Sequence, residues 1–273
     1  MTETGEDQVG IERTQGVPVL SVDLGPGVRA FFTTSAGGVS PAPWAAGRGG
    51  GLNLGLGVSD DVDRVRENRA RVASAVGAPV VFVTQVHGDG VLTVGSAERD
   101  AWSAETPPTA AGDADALVTA EAGLGLGVLV ADCVPVLLAD PVARVVGVAH
   151  AGRKGVLAGV VLRALDAMVA RGAEASRIRA VVGPAVCGRC YEVPAAMRDE
   201  VASAVPETWS TTTVGTPGLD LPAGVLSQLA ARGVTAEDLG RCTVEDAALY
   251  SHRRASAAGT TTGRQAGVVT IFG

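Results

Sequence analysis

The chain has 273 residues, of which 47% are hydrophobic, 19% are charged and 3% are aromatic, and its formal net charge is −7. This composition excludes the basic surface and the aromatic stacking platforms typical of nucleic-acid binding, and it offers anionic membranes no electrostatic attraction. The length and the hydrophobic content predict one domain with a large core over residues 16–273, preceded by a loose polar tail over residues 1–15.

The N-terminal part of the chain is predicted to contain this tail, a hairpin and a long loop. The tail is acidic and lacks the basic and apolar regions of a signal peptide, so we expect a cytoplasmic protein. Two β-rich runs, 17–23 and 28–34, are separated by Gly-Pro-Gly, which predicts a hairpin. Residues 35–57 are rich in glycine and show little periodicity, which predicts an irregular loop of the kind that is often functional.

Apolar residues at helical spacing predict four helices. The first begins at a cap on Asp60 or Asp61 and runs to about Val76, where Gly77 stops it. The other three are predicted at residues 155–170, 194–205 and 221–231.

Short apolar runs predict the remaining strands, with a loop over residues 98–112. These strands are predicted at 80–84, 90–94, 114–119, 125–131, 134–139, 145–148, 178–182 and 267–272. The longest apolar run, 124–138, is interrupted by Asp132 and Pro135 and is too short to cross a bilayer, so we expect no membrane span. Because runs of strands precede helices, the pattern predicts an α+β fold in which mixed β-sheets pack with surrounding helices.

Three side chains suited to binding a metal lie at the ends of predicted strands. His87 and His150, two of the three histidines in the chain, each end an apolar run, and Cys133 lies between two such runs. Each residue alone is typical of a structural position, but together they predict a His₂Cys metal site with an open fourth position. This ligand set favours zinc. Copper can compete, although a blue-copper site usually adds an axial methionine and none of the three methionines is near these residues in sequence.

Other interpretations of the cysteines remain open. We expect all four to be thiols or metal ligands rather than disulfides. Cys133 and His150 could form a nucleophile–base dyad that needs no metal. A structural zinc could bind Cys187, Cys190 and Cys242, although the sequence shows no evident fourth ligand. The Pro-Cys-x-x-Cys motif of zinc nucleobase deaminases is matched poorly, because two residues separate the proline from the first cysteine.

Basic residues near the predicted metal site indicate a site for an anion. Arg153 and Lys154 begin a predicted helix, and Arg253, Arg254 and Arg264 lie near the C-terminus. A helix N-terminus with adjacent cations is suited to a phosphate or a phosphorylated substrate. Ordinary surface charge explains the same residues equally well.

Short motifs in a fixed order span residues 32–272. They are Phe-Thr-Thr-Ser-Ala-Gly-Gly-Val-Ser (32–40), Leu-Asn-Leu-Gly (52–55), Glu-Asn-Arg (67–69), Gln-Val-His-Gly (85–88), Ala-Asp-Cys-Val-Pro (131–135), Ala-His-Ala-Gly (149–152), Val-Gly-Pro (182–184), Cys-Tyr-Glu-Val (190–193), Ser-His-Arg-Arg (251–254) and Thr-Gly-Arg (262–264). As an ordered set, they resemble the YfiH family. Its members were long labelled multicopper polyphenol oxidoreductases or laccase-domain proteins and are now associated with purine nucleoside phosphorylase activity.

The resemblance implies a metal-dependent purine nucleoside enzyme with a layered α+β fold over residues 16–273. It implies that His87, Cys133 and His150 bind the metal, the same group for which the ligand chemistry above favours zinc, with copper as the alternative. The implied reactions are phosphorolysis of adenosine, inosine, guanosine or methylthioadenosine to the base and ribose-1-phosphate or its methylthio analogue, and hydrolytic deamination of adenosine. The expected partners are therefore purine nucleosides and phosphate, with no obligate protein partner evident.

The same resemblance assigns roles to further residues and marks departures from the family pattern. It places Lys154 with Cys133 and His150 among the catalytic residues, and Asn53, Gln85 and Arg254 among the substrate-binding residues. Ser35 stands where the family commonly has arginine, Arg153-Lys154 where it has Trp-Arg, and His252 where it has tyrosine. These changes leave the implied metal ligands intact, but they bear on substrate preference and phosphate affinity.

The older oxidase label can be tested against the composition. A conventional laccase needs one mononuclear and one trinuclear copper centre built from many histidines, and three histidines cannot supply both. Polyphenol oxidation would therefore have to come from a single copper in the His₂Cys site. Two further functions stay open, namely a Cys–His hydrolase or amidase, for example one that edits peptidoglycan precursors, and a non-catalytic metal-binding protein.

Overall fold

Two large β-sheets stack face to face at the centre of the molecule. The computed structural model describes residues 10–45 and 49–273. Its strands are β1 Glu12–Thr14, β2 Val17–Val22, β3 Val28–Thr33, β4 Ala36–Gly38, β5 Gly50–Gly51, β6 Val80–Val81, β7 Val91–Thr93, β8 Ala116–Thr119, β9 Gly125–Val130, β10 Val134–Asp140, β11 Val145–Ala151, β12 Arg179–Val182, β13 Trp209–Thr211, β14 Pro217–Leu219, β15 Thr235–Asp238 and β16 Gln265–Ile271. Its α-helices are α1 Val62–Val76, α2 Ser96–Trp102, α3 Arg153–Ala158, α4 Val160–Val169, α5 Ala195–Ala204, α6 Leu221–Ala231 and α7 His252–Ala257.

Both large sheets have six strands and mixed topology. The first sheet has the order β1-β2-β3-β16-β9-β6, and the second has the order β15-β12-β10-β11-β8-β7. Most neighbours are antiparallel, but β6 and β9, β7 and β8, and β12 and β15 pair in parallel. Phe32 and Val269 of the first sheet share a buried cluster with Leu137 and Val148 of the second. The predicted α+β fold with mixed sheets is confirmed.

Helices cover the outer faces of both sheets. Because side chains alternate along a strand, Leu137 of β10 faces the first sheet, whereas Val136 and Leu138 pack in the cluster that includes α4 and α6. Val72 of α1 packs with Phe31 on the outer face of the first sheet. The layers therefore run helix, sheet, sheet, helix. None of the helices in the described part of the chain is long and apolar enough to cross a membrane.

The first predicted helix is confirmed at both ends. The Asp61 carboxylate accepts hydrogen bonds from the main-chain N–H groups of Asp63 and Arg64, which have no partner inside the helix. Gly77 adopts φ +78°, and its N–H donates to carbonyls of the last turn. Glycine favours this left-handed conformation, so the helix ends where the sequence indicates.

Two further predictions, one of a helix and one of a loop, are wrong in part. The predicted helix 155–170 is two helices, because Gly159 adopts φ +77° between α3 and α4 and ends the first of them. The predicted loop 98–112 begins inside α2, where the Glu98 carboxylate accepts a 2.8 Å hydrogen bond from the Gly95 N–H and closes the first turn. The composition of this segment predicts a loop, but the capping hydrogen bond of Glu98 stabilises a helix there.

The described part of the predicted N-terminal tail, residues 10–15, contains the edge strand β1. Residues 1–9 lie outside the described residues, but β1 pairs with β2 along the edge of the first sheet, with Glu12 opposite Val19. Edge pairing satisfies the main-chain groups of a segment whose side chains are polar. The sequence also did not predict β13, β14, β15 or α7, which are three to six residues long and carry weak periodicity.

The predicted irregular loop 35–57 is held in place by buried polar side chains, with residues 46–48 outside the described residues. The Asn68 amide donates to the Ser40 hydroxyl and to the carbonyls of Gly51 and Asn53, and its oxygen accepts from the Val39 N–H. The loop also contains β4 and β5, which pair with each other. One fully buried amide of α1 therefore orders a segment without periodicity.

A buried carboxylate stabilises the turn that follows β10. Asp140 is fully buried and accepts hydrogen bonds from the N–H groups of Val142, Ala143 and Glu174, and its carboxylate lies 3.1 Å from the Arg177 guanidinium. Burial alone raises the pKa of Asp140, but these donors outweigh it and hold the pKa below its ordinary value. The ionised form is therefore the one that the fold stabilises.

Replacing Asp140 with asparagine should lower the free energy of unfolding at pH 7 by about 1–3 kcal/mol, because the amide leaves buried donors unsatisfied. A folded-state pKa below the unfolded value contributes stability above the unfolded pKa, and that stability is lost as pH falls through the folded pKa. The difference from the unmodified chain should therefore shrink below about pH 4. Urea unfolding across this pH range measures the difference in the free energy of unfolding. The control is Asp100→Asn, because the Asp100 side chain is 75% exposed. A pH-independent difference would contradict the assigned ionisation.

Candidate metal centre

The three predicted metal ligands meet where the chain crosses between the two sheets. His87 lies on the connection from β6 of the first sheet to β7 of the second, and Cys133 lies in the turn from β9 to β10, which makes the same crossing. His150 is on β11, where it pairs with Pro135 of β10. The stacking of the sheets therefore brings together residues that are far apart in sequence, from His87 to His150.

The geometry of this group fits a metal ion. The ligand atoms of His87, Cys133 and His150 all lie within 4.8 Å of one another, and Cys133 Sγ is 3.9 Å from His87 Nε2. The two imidazole rings are 4.8 Å apart between centroids and nearly perpendicular. Ideal tetrahedral zinc bonds place sulfur and nitrogen ligands about 3.6 Å apart, close to the distance between Cys133 Sγ and His87 Nε2. Three protein ligands leave the fourth position open.

Asp115, which sequence reasoning missed, holds both histidines in place. Its carboxylate is fully buried and lies 2.8 Å from His150 Nδ1, from which it accepts a hydrogen bond. It also accepts from the main-chain N–H groups of His87 at 3.0 Å and Gly88 at 2.6 Å. Because Nδ1 of His150 is occupied in this way, Nε2 is the nitrogen available to a metal. A charged residue inside the predicted strand 114–119 was the available signal.

Two residues of this region have positive φ angles, a backbone conformation that residues other than glycine rarely adopt. His87 has φ +61° and Asp132, directly before Cys133, has φ +93°. The Asp132 carboxylate accepts 2.6 Å hydrogen bonds from the Thr243 hydroxyl and from the Arg253 N–H. Surrounding structure must hold such positions, and they occur most often at functional sites.

Gly152 lies directly against the ligand side chains. A Cβ at this position would lie 2.9 Å from Cδ2 of His87 and 3.2 Å from Sγ of Cys133. Its φ of −76° is ordinary, so the constraint is the space that the ligands occupy.

Charges within the group favour the form of cysteine that binds metals. Burial raises the pKa of the Cys133 thiol, but hydrogen bonds and charge from His150 and His87 outweigh it and lower the pKa to about 6. Burial lowers the pKa of His150, but Asp115 and Cys133 outweigh it and raise the pKa to about 9. Cys133 is therefore favoured as a thiolate, which is both the metal ligand and the nucleophilic form of cysteine.

The ligands face a cavity of about 440 Å³. This volume lies within the range of roughly 300–1,000 Å³ that is typical of small-molecule sites. Its wall includes His87, Cys133, His150, Gln85, His252 and Arg264, together with residues 55–58. Arg264 is the only arginine or lysine among the described residues of this wall.

Two of the predicted substrate-binding residues shape the wall of the cavity. Gln85 lies on the wall, and its amide makes two 2.7 Å hydrogen bonds with the main chain of Leu129. Asn53 is fully buried behind the wall, where it donates to the Asp60 carboxylate and accepts from the Arg264 N–H. Direct contact of either residue with a substrate stays a prediction.

The third predicted substrate-binding residue, Arg254, and the predicted catalytic residue Lys154 do not line this cavity. Arg254 does not line the cavity of the metal group, and its guanidinium donates to main-chain carbonyls of Thr243, Val244, Asp246 and Leu249. Lys154 is exposed on α3 and also does not line this cavity. Of the basic residues predicted to bind an anion, Arg264 is the one on the wall.

Two of the residues that depart from the resemblance line different cavities. His252 lies on the cavity wall, although sequence reasoning left it out of the metal site. Ser35 is buried and lines a different cavity, beside Tyr250 and Arg254. Of these two residues, only His252 lines the cavity at the metal group.

Comparisons with known proteins match most of the chain. Residues 29–272 match the family described as multi-copper polyphenol oxidoreductase laccase. A Streptomyces griseus protein named purine nucleoside phosphorylase ORF3 is 54% identical over 244 residues, which cover 88% of this chain and 93% of that protein. A Mycobacterium tuberculosis protein, also named purine nucleoside phosphorylase, is 49% identical over 231 residues, which cover 83% and 87%. The crystal structure of YlmD from Geobacillus stearothermophilus has a TM-score of 0.82 at 31% identity, covering 96% of this chain and 98% of that one.

Replacing Asp115 with asparagine should weaken metal binding by roughly 10- to 100-fold, the usual effect of losing a hydrogen-bond partner behind a ligand. The neutral amide attracts the His150 imidazole less strongly than the carboxylate does. Its own N–H groups would also lie against the main-chain N–H donors of His87 and Gly88, which the carboxylate now satisfies. Competition with a chromophoric chelator measures the affinity, and circular dichroism confirms folding. The exposed neighbour Asp113→Asn is the matched control. Equal affinities in the two variants would show that Asp115 does not orient the ligands.

Proposed function

The chain belongs to the multi-copper polyphenol oxidoreductase laccase family, and we propose that it is a metal-dependent purine nucleoside phosphorylase that also deaminates adenosine. The names of its relatives support an enzyme of this kind. The observation that carries the proposal is the placement of His87, Cys133 and His150 on the wall of a cavity large enough for a small molecule. We propose zinc as the metal, with copper as the alternative.

The proposed reactions differ in the bond that breaks. In phosphorolysis of adenosine, inosine, guanosine or methylthioadenosine, a phosphate oxygen forms a bond to C1′ of the sugar and the bond from C1′ to the purine nitrogen breaks. In deamination, water adds at C6 of adenosine and ammonia leaves. A bound zinc ion would supply Lewis acidity. Asp115 and the strained turns at His87 and Asp132 hold the ligand side chains in one arrangement, so the site is organised before the substrate arrives.

Residues of the cavity wall have distinct tasks in this proposal. Arg264 supplies the positive charge that a phosphate ion requires, and its planar guanidinium suits two phosphate oxygens. We therefore assign phosphate binding to Arg264, with Lys154 outside the cavity wall. Gln85, fixed through the main chain of Leu129, limits the space beside His87 and keeps the wall rigid.

A second candidate is a cysteine hydrolase or amidase, for example one that acts on peptidoglycan precursors. It is favoured by the series Asp115, His150 and Cys133, in which the carboxylate binds the imidazole and the imidazole favours the thiolate. This series has the order of an orienting acid, a base and a nucleophile. His87 has no necessary task in such a dyad, which separates the two candidates experimentally.

Product analysis should detect free base and ribose-1-phosphate from inosine only when phosphate is present, and inosine from adenosine without phosphate. His87→Ala should lower both activities by roughly 100-fold or more because it removes a metal ligand. Val86→Ala, at a neighbouring side chain that is 54% exposed, should leave them unchanged. A cysteine hydrolase would keep its activity in His87→Ala. Absence of every one of these nucleoside products at high enzyme concentration would refute the proposed function.

Arg264→Gln should raise the KM for phosphate by about 10-fold or more, the effect of losing one hydrogen bond to a charged group. Adenosine deamination uses no phosphate, so its rate should change far less. Steady-state kinetics of both reactions in the same preparation provide the comparison, and Arg264→Lys should restore part of the phosphate affinity because it keeps the charge. Parallel losses of both reactions would indicate that Arg264 supports the wall rather than binding phosphate.

A further inference from the structure

A second group of metal-binding side chains lies outside the cavity described above. Cys187, Cys190, Cys242 and Glu245 each place a ligand atom within 4.8 Å of the other three. All three cysteines are free thiols in this structure. Cys242 is buried, Cys187 and Cys190 are partly buried, and Glu245 is exposed at the rim. None of the four lines the cavity at His87.

Two neighbouring segments build this group. Cys187 and Cys190 close a tight turn after β12, in which the N–H groups of Cys190 and Tyr191 donate to the Cys187 carbonyl at 2.9 and 3.0 Å. A Cys-x-x-Cys turn is the spacing at which two thiolates reach one zinc ion. The segment after β15 supplies Cys242, which forms a parallel bridge with Ala185.

Main-chain hydrogen bonds hold the two segments side by side. The Ala185 N–H donates to the Arg241 carbonyl at 3.2 Å, and the Thr243 N–H donates to the Ala185 carbonyl at 3.0 Å. Arg254 adds support, since its guanidinium donates to carbonyls of the segment that contains Glu245. The positions of the four ligands are therefore set by the fold around them.

One distance within this group matches the spacing of two ligands on a tetrahedral ion. Sγ of Cys190 is 3.5 Å from Oε1 of Glu245. Bonds of about 2.3 Å to sulfur and 2.0–2.2 Å to oxygen at the tetrahedral angle place these two atoms roughly 3.5–3.7 Å apart. A thiol–carboxylate hydrogen bond would also account for this one distance, and a disulfide would use two of the sulfurs. Neither explains why three sulfurs and a carboxylate oxygen all lie within 4.8 Å of one another.

We propose that Cys187, Cys190, Cys242 and Glu245 form a second metal site, structural rather than catalytic, that binds zinc. Sulfur ligands select zinc over magnesium or calcium. Four protein ligands close the coordination sphere, whereas the group at His87 has three and faces a cavity. The glutamate is the fourth ligand that the sequence alone did not reveal.

The second site supports the turn that presents Cys133. The Val186 N–H, next to Cys187, donates to the Asp132 carbonyl at 2.9 Å, and the Thr243 hydroxyl, next to Cys242, donates to the Asp132 carboxylate at 2.6 Å. Asp132 is the residue with φ +93°. An ion that ties residues 187 and 242 together would therefore hold two of the hydrogen-bond partners of Asp132, a strained residue beside the first site. This site would be present whatever reaction the cavity supports.

Metal content of the full-length chain tests the proposal directly. Protein purified under reducing conditions, loaded with zinc and then desalted, should contain two zinc ions per chain by elemental analysis. Cys242→Ser and the double variant Cys187→Ser/Cys190→Ser should each retain one. Cys133→Ser is the matched control, because it should also retain one but lose it from the other site. Substituted Co²⁺ should report this difference, since the thiolate-rich site gives stronger sulfur-to-metal charge-transfer absorption in Cys133→Ser than in Cys242→Ser.

Alkylation of the unmodified protein tests the site even if the variants do not fold. Zinc should protect Cys187, Cys190 and Cys242 from iodoacetamide, and a chelator should expose them together and lower the Tm. Mass spectrometry of peptides identifies the modified residues. One zinc per chain that depends on Cys133 alone, zinc-independent alkylation of the three thiols, or a disulfide among them would each overturn the proposal.

Discussion

The buried carboxylate of Asp115 is the interaction on which the candidate site depends. It accepts main-chain hydrogen bonds from His87 and Gly88 and a side-chain hydrogen bond from His150, and so connects a strained turn to a strand. Burying a carboxylate is costly unless donors surround it. Because the same donors include His87 and His150 of the candidate metal group, the hydrogen bonds that stabilise the charged form of Asp115 also fix the positions of these two residues.

The position of the site follows from the way the sheets are connected. A sandwich of two sheets needs segments that leave one sheet and enter the other, and these crossings supply His87 and Cys133. Such turns lie outside the regular pairing, so their side chains can face a cavity without disturbing the core. The cost is backbone strain at His87 and Asp132, which neighbouring segments must balance. The segment around residues 185–190 and the segment around residues 241–246 both contact Asp132, which connects the second cysteine group to the first.

The family that matches this chain is described as a laccase family, whereas similar proteins are named purine nucleoside phosphorylases, and the site explains why the first description is chemically difficult. A multicopper oxidase moves electrons between several copper ions, each of which needs its own imidazole ligands. Here His87 and His150 belong to one group, and His252 is on the wall of the same cavity. A single candidate metal group in a cavity that Arg264 also lines suits polar addition and displacement. These reactions move a proton and a leaving group and do not change the oxidation state of a metal.

Sequence by itself determined the α+β class, the ends of α1, most strands of the two sheets and the choice of His87, Cys133 and His150 as one candidate metal-binding group, because these depend on local periodicity, caps and the chemistry of scarce side chains. Tertiary structure alone decided the break at Gly159, the pairing of β1, and the buried tasks of Asn53 and Arg254, because hydrogen-bond partners distant in sequence set them. Asp115 and Glu245 show the reason most clearly. The sequence shows the same aspartate or glutamate whether its carboxylate is solvated, accepts a hydrogen bond from a histidine or lies in a candidate metal group. Only the folded chain shows which atoms the carboxylate contacts.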